Sequence, residues 1–263
     1  MLFSKHPRTA YANAPAHEVI CQLRFPAILT INDNAPAEFQ EAIREDFPQF
    51  ARTEEAAPPQ ITGLGGPNPQ LRQQKPVTNY RFISTDNLWK LNLTQNFIAL
   101  STLRYTGWEE FASELDKPLA EFIRIYKPAY FERVGLRYVN IISREKLGLA
   151  GRPWPELIAP AYLGALGEPD VRPENVLNSA VDFQCKLDSS CAAKIHAGPG
   201  RLRSRPNTPQ DPEVKFILDM DLSMGGQVAC NLSAAGLETL HAHATELFEG
   251  AVTDALREAM QPE

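Results

Sequence analysis

Apolar and polar residues first alternate at 17–25. There Val19, Cys21, Leu23 and Phe25 point one way and Glu18, Gln22 and Arg24 the other, as in a half-buried strand. A short helix is expected over 36–47, with Phe39, Ala42, Ile43 and Phe47 on one face. Residues 51–78 lose this periodicity. Pro58-Pro59, Gly65-Gly66-Pro67 and the glutamines around 70–74 predict a long exposed loop there. From Tyr80 the chain reads as a meander of strands at 79–84, 88–94 and 97–104, with Trp89, Leu91 and Leu93 expected to share a face with Phe97 and Ala99. Thr106 and Glu109 have the spacing of a capping box, so a helix should start near Gly107. It would carry an apolar stripe from Trp108 to Tyr126 and kink at Pro118. Residues 131–142 form a further strand with Val134, Leu136 and Tyr138 on one face.

Residues 144–178 are irregular and proline-punctuated, with a helix expected around 155–166. Alternation returns at Val181, Phe183, Cys185 and Leu187, and again at Cys191, Ala193 and Ile195. After a polar loop at 199–212 comes the cleanest strand in the chain. Val214, Phe216, Leu218, Met220, Leu222 and Met224 face in, while Glu213, Lys215, Asp219, Asp221 and Ser223 face out. A long helix over 233–259 ends the pattern. Hairpin-linked strands followed by helices predict an α+β protein, an antiparallel sheet with helices packed on one face. One structural unit over 1–263 is expected, built from pseudo-repeated halves at 14–143 and 179–263 and joined by 144–178.

Composition narrows the function classes. A chain of 263 residues with 43% hydrophobic and 22% charged residues can bury a large core without staples. No run approaches the roughly eighteen apolar residues of a membrane span, and no apolar leader opens the sequence. A cytoplasmic protein without a membrane partner is therefore expected. The four cysteines have no CxxC pairing and read as reduced thiols. A net charge of −6 disfavours nucleic acid as a partner and leaves a protein partner as the expectation.

Candidate chemistry is sparse. His241 and His243 lie about 200° apart around a helix and cannot clamp one metal together. Asp219 and Asp221 share a strand face about 7 Å apart, a spacing that would suit a divalent cation. Arg24, Arg133, Arg137, Lys194 and His196 should gather on the open sheet face, with Gly135 leaving a gap between the arginines where a partner could approach. Lys90, Lys186, Arg201, Arg203 and Arg205 would extend that surface. Gly63-Leu-Gly-Gly-Pro has neither the Lys-Ser/Thr nor the following helix of a phosphate loop. No nucleophile elbow, zinc-protease or kinase signature occurs, so no catalytic residue and no cofactor are expected.

Several phrases together resemble a sporadically distributed family of bacterial proteins of about this length. They are Ala14–Pro26, Arg81–Thr94, Phe97–Ser101, Tyr105-x-x-Trp108 and Phe131–Asn140. The resemblance covers 14–142 well and the last third more loosely. It implies no activity and no catalytic residues, and its patchy distribution suggests mobile elements such as toxin–antitoxin or defence systems. The resulting expectation is a non-enzymatic binding or accessory protein acting through a macromolecular partner. The rival is a metal-dependent nuclease or phosphoesterase using Asp219 and Asp221.

Overall fold

Strand β1 (Ala16–Arg24) and strand β8 (Phe131–Ile142) pair antiparallel at the middle of a nine-stranded sheet. The structure is a computed structural model that describes residues 2, 9–55, 60–62, 70–72, 76–203 and 209–263. On the β1 side, β7 (Phe97–Thr102), β6 (Trp89–Leu93), β5 (Val77–Ile83) and β2 (Gln49–Glu55) follow in turn. On the β8 side come β11 (Lys215–Val228), β10 (Cys191–Gly200) and β9 (Val181–Lys186). Every pairing is antiparallel. Strands β3 (Gln60–Thr62) and β4 (Gln70–Arg72) form a separate hairpin. Because β8 hydrogen-bonds both β1 and β11, one sheet runs through both expected halves.

The helices all lie against one face. Their placement follows from aromatic side chains that reach across to inward-facing strand residues. Phe39 of α2 (Ala37–Ile43) meets Phe82, and Phe111 and Phe122 of α3 (Trp108–Tyr126) meet Trp89 and Phe25. Helix α4 (Ser233–Ala251) packs on β8 and β11. The segment 144–178 is a chain of short 3-10 turns rather than a helix over 155–166, and its Trp154 and Tyr162 contact Phe216 and Phe183. A short helix α1 (Leu29–Asp33), which carries no clear periodicity, buries Ile31.

Four further differences have local causes. The expected loop at 51–78 begins as an edge strand, in which Phe50 pairs with Phe82 and packs on its ring. The expected glutamine and glycine features at 63–69 and 73–75 lie outside the described residues. In the meander, Ile98 and Leu100 face the core opposite Leu93 and Leu91, and Phe97 and Ala99 take the other face. The Thr94 hydroxyl accepts from the Asn96 and Phe97 N–H groups and sets a register one residue away from the expected one, which flips every side chain.

The last helix breaks at Val252, whose extended backbone bridges Ile158. Thr253 then caps α5 (Asp254–Met260), accepting from the Leu256 N–H. No capping box forms on α3, because Thr106 donates to Glu110 instead.

Glu213 and Lys215, expected to face out, are buried. Lys215 ion-pairs with Asp211 and Glu213, and the Glu213 carboxylate accepts from Ser143 at 2.7 Å. Burial of charges is tolerated there because each has a partner.

Leu218 is fully buried on the inner face of β11. Leu218→Ala should cost about 2–5 kcal/mol in a urea unfolding experiment. A loss below about 0.5 kcal/mol would place it outside the core.

Candidate functional site

The face of the sheet away from the helices holds the residues that the alternation pattern singled out. Strand register sets Arg137 opposite Asp221, Asp221 opposite Lys194, and His196 between Asp219 and Asp182. These six side chains line a shallow basin of about 300 Å³. Arg137 donates from Nε and Nη2 to the two Asp219 oxygens at 2.8 and 2.5 Å. Arg133 donates to Asp221 Oδ1 at 2.6 Å, and His196 Nδ1 lies 2.9 Å from Asp182 Oδ1.

The basin therefore brings together Arg137, Lys194 and His196, with Arg133 at its margin. Arg24 sits beyond it, opposite Arg133 at the end of β1. The expected gap at Gly135 does not exist. The Arg133 guanidinium lies over it, so a Cβ at 135 would overlap Nη1 and sit 2.7 Å from Cζ. Arg133 and Arg137 are each matched by one of the aspartates proposed as cation ligands. Arg205 lies outside the described residues.

A second site lies on the opposite face, in a cavity of about 210 Å³. It is lined by the segment around Tyr11, the start of α3, the inner faces of β8 and β11, and α4. The Tyr138 hydroxyl lies 2.8 Å from His241 Nδ1 and 3.5 Å from the Tyr105 hydroxyl. Trp108 stacks on the His241 ring at 4.7 Å and 7°, and its indole N–H donates to Glu238 at 2.7 Å.

At the other end Tyr11 donates to Glu249 at 2.7 Å, and Arg257 donates to the second oxygen of the same carboxylate at 2.8 Å. Burial, and then the Glu249 charge, push the Tyr11 phenol far above its usual range. Glu249 is 2% exposed and fully engaged, so this end of the cavity is rigid.

Sequence reasoning placed Trp108 and Tyr138 on inward faces and His241 at the surface or core edge, and gave Tyr105 no structural role. The available signal was polar residues at inward positions. Asn140 has the parity of Leu136 and Tyr138 on β8, and His241 is buried on α4 one turn from Leu237 and Ala244. A wider crevice of about 580 Å³ lies near Trp154 and Arg201. Its arginines, Arg144 and Arg201, are spent on the carbonyls of Arg152 and Pro212. Among the described residues, one set of metal-ligating side chains converges, namely Asp188, Cys191 and His243.

No protein-family model matches the chain, and no curated protein matches it. No helix among the described residues is long and apolar enough to cross a membrane.

Two substitutions separate the sites by stability. Tyr138→Phe removes a hydrogen bond to a buried imidazole and should cost about 1–3 kcal/mol. Arg137 is 44% exposed. Arg137→Ala should therefore cost at most about 1 kcal/mol, a limit checked by chemical denaturation of both variants.

Proposed function

We propose that this chain is a binding protein whose ligand is a small organic cation held in the aromatic cavity between the sheet, α3 and α4. The observation that carries the reading is the cavity lining. Tyr11, Tyr105, Trp108 and Tyr138 supply its aromatic lining, no Lys or Arg is among its described lining, and of its two carboxylates Glu249 is already paired with Arg257. Aromatic faces favour a positive ligand over an anion. The volume of about 210 Å³ falls below the ~300–1,000 Å³ of drug-sized sites, so the ligand is no larger than a single-ring amine or a small alkylammonium.

Other readings have less support. A metal-dependent nuclease built on Asp219 and Asp221 would have to displace Arg137 and Arg133 from those carboxylates. A macromolecular partner on the open face would meet Arg133 and Arg137 already paired with aspartates, which weakens their steering of an anionic surface.

Titration calorimetry with tyramine and tetramethylammonium should show binding, and benzoate and phosphate should show none. Thr245→Trp, placed on the cavity lining, should abolish binding while the protein keeps its circular-dichroism spectrum. Equal binding of benzoate, or undiminished cation binding in folded Thr245→Trp, would count against the reading.

A further inference from the structure

The hairpin between β9 and β10 meets α4 at a point that neither the cavity nor the charged basin uses. Asp188 opens the turn, and its Oδ1 accepts from the Ser190 and Cys191 N–H groups, each at 2.7 Å. Its second oxygen is left facing His243 Nε2 at 2.9 Å. Cys191 begins β10 on the inward face, toward the helices, and is buried. A carboxylate oxygen, a thiol sulfur and an imidazole nitrogen thus come within 4.8 Å of one another.

We propose that Asp188, Cys191 and His243 form a site for a borderline divalent cation, zinc by preference. The donor set decides the class of metal. A thiolate sulfur and an imidazole select zinc over magnesium or calcium, which take oxygen ligands. Tetrahedral zinc with bonds near 2.0 Å to nitrogen or oxygen and 2.3 Å to sulfur spaces its ligand atoms by about 3.3–3.6 Å. The three atoms reach that spacing with shifts of about an ångström.

The surroundings have the order such a centre needs. Glu246, one turn along α4, places a carboxylate oxygen 3.6 Å from His243 Nδ1, within reach to serve as the outer partner that a ligating histidine uses. Asp188 and His243 keep 35% and 20% side-chain exposure, so two of the three ligand residues reach solvent. Three protein ligands leave a fourth position for water or another small ligand. His241 and His243 thus serve opposite sides of α4, one toward the aromatic cavity and one toward this cluster.

The test uses the untagged full chain, stripped with a chelator and titrated with Zn²⁺ alone and with Co²⁺ alone. One Zn²⁺ per chain is expected, and Co²⁺ should give tetrahedral d–d bands with a thiolate-to-cobalt charge-transfer absorption. That absorption should vanish in Cys191→Ser and persist in Cys230→Ser, whose thiol lies elsewhere. Glu246→Gln should weaken Zn²⁺ by about tenfold or more, as loss of an outer partner does. His243→Ala removes a tie between hairpin and helix and can unfold the protein, so the near-isosteric Cys191→Ser is the deciding variant. Absence of the charge-transfer band in the native chain, or its survival in folded Cys191→Ser, overturns the proposal.

Discussion

The antiparallel pairing of β8 with β1 on one edge and β11 on the other is the constraint from which the rest of the molecule hangs. Twelve residues of β8 alternate strictly enough that Val134, Leu136, Tyr138 and Asn140 all point toward the helices and Arg133 and Arg137 all point away. A slip of one residue would bury two guanidinium groups and expose the core, so the burial difference fixes the register. Both candidate sites are by-products of this one alternation. The inward parity delivers Tyr138 to the cavity, and the outward parity delivers Arg137 to the basin.

Charge on the open face is organised by the same register. Cross-strand neighbours of opposite sign stabilise a sheet modestly, and here they recur along β8, β11, β10 and β9. The diagonal reach of the arginines adds to this: Arg133 crosses to Asp221 and Arg137 to Asp219. The opposite face works differently. Glu249 is buried there but is surrounded by Tyr11 and Arg257, and a buried carboxylate is stable only with such partners.

Helix α4 connects these features. Leu237, Leu240, Ala244 and Leu247 bind it to the sheet, while His241 and His243 point about 200° apart. The spacing that prevents the two histidines from sharing a metal allows each to serve a different cluster. His241 stacks under Trp108, and His243 meets the Asp188 hairpin.

Much of this was legible in the chain itself. Period-two alternation identified β1, β5–β11 and the inward faces of β8 and β11, because a half-buried strand imposes its environment on every second residue. The apolar stripe of α3 was readable for the same reason at helical period. The α+β class with helices on one face followed from the order of these elements. Register at the Thr94 turn was not legible, since one hydroxyl decides it. The edge strand β2 was not legible either, because Gln49-Phe-Ala-Arg-Thr-Glu-Glu55 carries no apolar alternation. Nor was the break at Val252, which depends on a bridge to Ile158 far away in sequence. The sites lay furthest out of reach. Tyr11 and Glu249 are 238 residues apart, Arg137 and Asp219 are 82 apart, and Asp188 and His243 are 55 apart. Local periodicity tells which way a side chain points. Only the assembled sheet and its packed helices decide what it meets.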